Sequence, residues 1–210
     1  FKHFKHFQLS TAPRRVGGKS AVTIPTTPSR AMVLTRIDRR HRHPRHVRCR
    51  LGKRSEMISY DFSQKSSVEA IRATFDQAVE RFSNLETGHQ AAMDSRLIRE
   101  LIAAAAAHTT PHATSVLDIG CGAGNYTLKL LESLPGLDCT LIDLSRPMLD
   151  RAKIRVSAKT TGNVVILQGD IREIELFEER FDIVITGSTV HHLRGNHEWE
   201  RVFTKVFRGL

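Results

Sequence analysis

The stretch Asp118-Ile119-Gly120-Cys121-Gly122-Ala123-Gly124-Asn125 constrains the fold more than any other part of this 210-residue chain. It follows the apolar run 116–119 and opens a helical pattern over 125–134. Glycines at alternate positions permit a tight strand-to-helix turn and let a ligand lie against bare backbone at a helix N-terminus. Three more short apolar runs follow, at 139–142, 164–167 and 181–185. They alternate with a helical pattern over 147–159, which Ser145 is placed to cap, and with a poorer segment after Asp170. Strand and helix in repeated alternation predict an α/β fold, a doubly wound and mostly parallel sheet covered by helices. A last helix starts near Asn196, sets Trp199, Val202, Phe203 and Val206 on one face and stops at Gly209. A buried parallel strand needs neighbours on both sides. With nothing after 181–185 to supply one, the sheet reads as incomplete, about four strands present and more expected beyond Leu210.

Upstream of the motif, Val68, Ile71, Phe75, Ala78, Val79 and Phe82 recur at helical spacing over 66–83. Leu97, Ile98, Leu101, Ile102 and Ala105 do the same over 91–107, and a loop at 84–90 separates the two helices. Together they form an N-terminal helical cap over 57–114, ahead of a domain at 115–210. Residues 1–56 differ in kind. They hold 15 basic side chains and two acids, a charge of +13, whereas residues 57–210 carry −3. This segment keeps neither helical nor strand periodicity and reads as a disordered basic tail. Its Gly17-Gly18-Lys19-Ser20 lacks the spacing of a phosphate-binding loop, because Pro13 stands where glycine is required.

The tail admits three readings: an electrostatic nucleic-acid contact, an Arg-rich targeting peptide, or translated sequence ahead of a start at Met57. The third is favoured, since the tail has no amphipathic helix and no aromatic interleaving. No apolar run approaches the roughly 18 residues that span a membrane, so no membrane partner is expected. Cys49, Cys121 and Cys139 have no C-x-x-C spacing, which points away from disulfides and zinc and towards a reducing, cytoplasmic setting. Oligomeric state leaves no mark on the sequence.

The glycine loop departs from a dinucleotide fingerprint. G-x-G-x-x-G wants glycine at 125, where this chain has Asn125. Asp118 at the strand end suits a ligand bearing an ammonium and a sulfonium better than a pyrophosphate. Asp143, 25 residues on, ends the second strand and can accept both hydroxyls of a ribose. Asp170 followed by Ile171 can take an exocyclic amine while packing on a purine face. Three successive strand ends then line one pocket, and an NAD-dependent oxidoreductase remains the rival reading.

The runs 116–124, Leu141-Ile142-Asp143-Leu144-Ser145, Gln168-Gly169-Asp170-Ile171 and Phe181-Asp182-Ile183-Val184-Ile185 resemble, in order, the motifs of class I S-adenosylmethionine-dependent methyltransferases. The resemblance covers about 115–208 and implies a Rossmann-like fold with S-adenosyl-L-methionine as cofactor. By it, Asp118 sits near the methionine amino group, and Gly120, Gly122 and Gly124, with Cys121 and Asn125 between and after them, form the loop beneath the cofactor. Asp143 holds the ribose, Leu144 and Met148 pack on the adenine, and Asp170 with Ile171 recognises its edge. It implies methyl transfer to an acceptor the sequence does not name, a small molecule being favoured. That family's sheet has seven strands, and the part beyond the fourth supplies much of the acceptor pocket. Residues 75–90 resemble the helix and loop that cap the cofactor in carboxy-S-adenosylmethionine synthase-like proteins, which implies a lid and makes cofactor carboxylation an alternative outcome.

Transfer from a sulfonium asks mainly for alignment and, for a protonated acceptor, a base. His191 and His192, after the fourth strand, are the catalytic candidates; the plainer alternative is that one bonds backbone while the other is solvated. A metal site of His191, His192 and His197 matches no usual ligand spacing. Cys121 reads as a packing residue rather than a nucleophile, and Trp199, Phe203 and Phe207 read as a core-facing stripe.

Overall fold

The computed structural model describes residues 31–35, 65–84 and 95–210. Its strands are β1 (Ala31–Thr35), β2 (Ser115–Ile119), β3 (Asp138–Asp143), β4 (Val164–Gln168) and β5 (Ile183–Gly187). Its helices are α1 (Val68–Asp76), α2 (Val79–Ser83), α3 (Ser95–Thr109), α4 (Asn125–Leu131), α5 (Arg146–Ser157) and α6 (Gly195–Gly209). The sheet order is β1-β5-β2-β3-β4, with the four central and C-terminal strands parallel. Because β3 and β4 lie on one side of β2 and β5 on the other, the winding reverses between β2 and β5. In open α/β sheets that reversal leaves a crevice outside the carboxyl ends of the strands.

Local chemistry accounts for the elements. Ser145 caps α5 by accepting from the Met148 N–H at 3.3 Å, with Pro147 in the first turn, where its missing N–H is harmless. Ser67 caps α1 through the Ala70 N–H. The single helix expected over 66–83 is two, because the α1 ladder closes at Gln77 and Ala78 leaves the helical region at φ −112°. The periodicity survives the break, which is why sequence spacing alone does not reveal it. Between Asp170 and β5 no helix forms, only turns.

Core side chains lie on both faces of the sheet. On one, Leu130 of α4 and Leu149 and Val156 of α5 meet Val116, Leu141, Ile183 and Ile185, with Ile102 and Ala106 of α3 beside them. On the other, Val202 and Val206 of α6 cover Leu117, Ile119, Ile142 and Val184. Each large buried aliphatic contributes about 1.5–3 kcal/mol relative to exposure. The aromatic stripe of α6 divides: Trp199 and Phe203 stack at 5.3 Å and pack on this core, but Phe207 is 54% exposed and is not part of it.

The basic segment expected to be disordered contains β1, which runs antiparallel to β5 with Val33 opposite Ile185. The expectation of an open edge beside β5 is corrected with it. An unpaired edge offers a row of N–H and C=O groups, and the Met-Val-Leu-Thr run has the side chains that favour strands. Five residues among basic neighbours are too few to register as a period. The remaining tail expectations, the loop at 85–90 and the start of the second helical pattern at 91–94 lie outside the described residues. Among the described residues, no helix is long and apolar enough to cross a membrane.

Candidate cofactor site

The three loop glycines all have positive φ, +68° at Gly120, +51° at Gly122 and +83° at Gly124, a region that L side chains enter only at a cost. Their surroundings separate their roles. A Cβ at Gly120 would lie 1.9 Å from Thr189 Oγ1, so this glycine admits the loop after β5. A Cβ at Gly124 would lie 3.0 Å from Val156 Cγ2, so this one admits α5. At Gly122 a Cβ would meet nothing within 4 Å, and the bare backbone there faces open space. The loop is pinned to the end of β3, where the Ile142 carbonyl accepts from the Gly120 and Cys121 N–H groups at 2.7 and 3.0 Å.

That open space is a cavity of about 310 Å³. Of the residues singled out from sequence, Gly120, Cys121, Gly122 and Asn125 line it from the loop; Asp143 and Leu144 from the end of β3 and Met148 from the first turn of α5; Asp170 and Ile171 from the end of β4; and His191 and His192 from beyond β5. Asp118 and Gly124 do not. Asp118 is wholly buried behind the loop, where Thr127 Oγ1 donates to its Oδ2 at 2.7 Å and its Oδ1 has no partner. Asp118 thus stands behind the cavity wall and not on it. Burial, helped by the nearby Asp143 charge and opposed by Thr127, pushes its carboxyl up to about 7.

Asp143 presents its carboxylate to the cavity with each oxygen already holding one backbone donor, Gly122 N–H to Oδ2 at 2.8 Å and Ser145 N–H to Oδ1 at 2.9 Å. Burial raises its pKa above the ordinary carboxylate value against those bonds. Asp170 is shared. The Arg172 guanidinium grips it, Nε to Oδ1 at 2.9 Å and Nη2 to Oδ2 at 2.5 Å, while Nη1 reaches Glu198 at 3.0 Å. Burial opposes ionisation of Asp170, but its bonds to Arg172 prevail and its pKa falls. Beyond β5, Ser188 adopts φ +56°, a strained value for a non-glycine residue, at the cavity wall. The ring of Tyr126 lies so close to Gly187 that a Cβ there would be 2.1 Å from Cε2. The two histidine rings stand 4.0 Å apart. His192 is half-buried, and burial, then the Lys65 and Arg172 charges, lower its pKa below 6.5. Cys121 is a buried free thiol whose pKa burial raises, which suits packing and not nucleophilic attack.

The roof comes from the cap, through Ile71, Phe75, Arg81 and Phe82. Asn125 spends its side chain on that roof: Nδ2 donates to the Phe82 carbonyl at 2.8 Å, and Oδ1 accepts from Arg155 at 2.8 Å. Glu80 pairs with Arg151 of α5. At the other end, Lys65 Nζ donates to the His191 and Leu193 carbonyls at 2.8 and 2.6 Å, and Arg194 Nη2 donates to the Ser66 carbonyl at 2.8 Å. Sequence reading anticipated a lid but not these straps or Arg81. A cavity-lining cation on a five-residue helix leaves no periodic signal.

Residues 116–210 match the family model described as a methyltransferase domain. The Bacillus subtilis (strain 168) protein YqeM, which carries a methyltransferase name, is 36% identical over 101 residues, 48% of this chain and 39% of its own length. The malonyl-[acyl-carrier protein] O-methyltransferase of Anoxybacillus flavithermus is 30% identical over 138 residues, 66% of this chain and 45% of its own length. The chain thus spans less than half of either relative. A solved Methanococcus maripaludis structure, named as an S-adenosyl-L-methionine-dependent methyltransferase, covers 72% of this chain with 63% of its own. Its TM-score is 0.51 at 18% identity, a likeness of fold. The motif order, the reversal of winding at β2, the bare backbone at Gly122 and these matches agree on a class I S-adenosylmethionine-dependent methyltransferase domain over residues 116–210.

Proposed function

We propose that this chain binds S-adenosyl-L-methionine in the crevice and directs its methyl group to a small-molecule acceptor. The observation that carries this is the open cradle at Gly122 facing one cavity with Asp143 and Asp170 at two successive strand ends. The bound cofactor would supply an already activated methyl, so the chain's task is to bind, align, exclude water and accept a proton.

Each residue fits a part of that task. Asp143 keeps a free lone pair on each oxygen beside its backbone donors, enough to take two ribose hydroxyls. Leu144, Met148 and Ile171 offer apolar surface to a purine, and Asp170, held ionised by Arg172, offers an acceptor at its edge. Phe75 and Phe82 of the cap keep water from the transfer point. His192 is the favoured proton acceptor, because its lowered pKa leaves it neutral at pH 7. The cap over 57–114 and the domain over 115–210 form the working unit, and a cytoplasmic setting fits the free buried thiols of Cys121 and Cys139.

Calorimetry with S-adenosylhomocysteine tests the reading. The chain should bind it, Asp143→Ala should abolish or strongly weaken binding, and the exposed-surface variant Glu200→Ala should not. Absence of binding by the unmodified chain, or equal losses in the two variants, would overturn it. NAD in the same titration separates the oxidoreductase alternative.

A further inference from the structure

Asp170 heads a segment that makes only turns, so no helix of its own fixes its carboxylate. Two side chains of α6 hold the segment instead. Lys205 Nζ donates to the Ile171, Arg172 and Ile174 carbonyls at 3.1, 3.2 and 2.5 Å and fixes the backbone of the turn. Glu198, on the same face of α6 two helical turns earlier, acts on a side chain: its Oε1 accepts from Arg172 Nη1 at 3.0 Å.

The acceptor capacity of Asp170 is nearly filled by that same arginine. Oδ1 accepts from the Arg172 backbone N–H and from Nε, both at 2.9 Å; Oδ2 accepts from Nη2 at 2.5 Å and shares Nε at 3.0 Å. Each carboxylate oxygen offers about two lone-pair sites, so the last position for a ligand is on Oδ2. Of the guanidinium nitrogens only Nη1 makes no bond to Asp170, and Glu198 draws it away. Asp170 and Arg172 line the cavity, whereas Glu198 does not. The side chains of Asp170, Arg172 and Glu198 are only 17%, 17% and 27% exposed, so a guanidinium released from Glu198 would take its next partner among the acceptors in the cavity.

We infer that Glu198 is a positioning residue for purine selection: by holding Arg172 Nη1 away from the cavity, it keeps Oδ2 of Asp170 open to an exocyclic amine and withholds a donor that a 6-oxo purine would accept. This rests on the cofactor site proposed above. Glu198 Oε2 also accepts from the Arg194 N–H at 2.6 Å, a bond that caps the start of α6. Gln has one acceptor oxygen where Glu has two, so Glu198→Gln cannot keep the cap and the Arg172 bond in their present geometry.

The full chain and its variants are titrated calorimetrically with S-adenosylhomocysteine and with its deaminated analogue, in which a 6-oxo group replaces the purine amine. The unmodified chain should prefer S-adenosylhomocysteine by about tenfold or more, the scale of one polar group left without its partner. Glu198→Ala should bind S-adenosylhomocysteine more weakly and the analogue no more weakly, erasing most of the preference, and Glu198→Gln should be intermediate. Glu173→Gln breaks an exposed ion pair between the same turn and Arg201 of α6, and should leave the ratio unchanged. If Glu198→Ala does not fold, Glu198→Gln carries the same test. Equal weakening of both ligands, with the ratio retained, assigns Glu198 to helix capping alone and overturns the inference. An unmodified chain that binds S-adenosylhomocysteine without preferring it to the analogue overturns it as well, because Asp170 then does not read the amine. Failure of the unmodified chain to bind either ligand overturns the cofactor reading itself.

Discussion

Replacing Asp118 with Asn should change how stability depends on pH. In the folded chain this carboxyl is wholly buried and titrates at about 7, against 3.8 as its ordinary value. Between those values the folded state keeps a proton that the unfolded chain has released. The sign follows from proton linkage: the contribution of the neutral form is complete below 3.8 and is lost as pH rises through about 7. At roughly 1.36 kcal/mol per pH unit the whole loss is about 4 kcal/mol, and about 3 kcal/mol of it falls between pH 5 and 8. Asn cannot ionise. It still accepts from Thr127 Oγ1, but it sets an amide N–H₂ where Oδ1 has no partner, which costs about 1–3 kcal/mol at every pH. The variant should therefore be the less stable chain at pH 5 and match or exceed the parent at pH 8. Urea unfolding of both chains across that range measures the difference directly. Parallel stability profiles would mean that Asp118 is ionised, or hydrated, in the folded chain, and the reasoning would fail.

Two other substitutions in the loop should separate folding from binding. Gly120→Ala drives a methyl into Thr189 at φ +68° and should cost about 3 kcal/mol in thermal or urea unfolding. Gly122→Ala meets no protein atom, so it should cost only about 1 kcal/mol of backbone strain, yet weaken S-adenosylhomocysteine binding more than tenfold; the opposite ranking would refute the cradle. Once an acceptor is in hand, His192→Ala should lower kcat/KM by about 10²–10⁴, and the acid limb of the parent's pH–rate profile should lie below pH 6.5. Should His191→Ala carry the larger loss, the proton acceptor has been assigned to the wrong ring.

Much of the frame was legible in the sequence because it depends on near neighbours. The 3.6 period marks the helices, short apolar runs mark the parallel strands, the alternate glycines mark the turn, and the strand ends carry Asp143 and Asp170 to one edge. Each of these is a statement about residues a few positions apart. The loop departs from a dinucleotide fingerprint at Asn125, although the work of the Asn125 side chain, bonding Phe82 and Arg155, could not be foreseen.

What the tertiary structure alone decided concerns contacts between segments far apart in the chain. Asp118 looks like a ligand residue in sequence, and only the packing of α4 shows that Thr127 bonds one oxygen of its carboxylate behind the cavity wall. Asp170 is claimed by Arg172, two residues on, and that guanidinium is steered in turn by Glu198 from α6. Pairing of Ala31–Thr35 with β5 across some 150 residues has no local signal at all. The reason is physical: spacing sets the direction a side chain leaves its own element, but whether it then meets a cavity, a counter-charge or another layer is set by the elements packed around it.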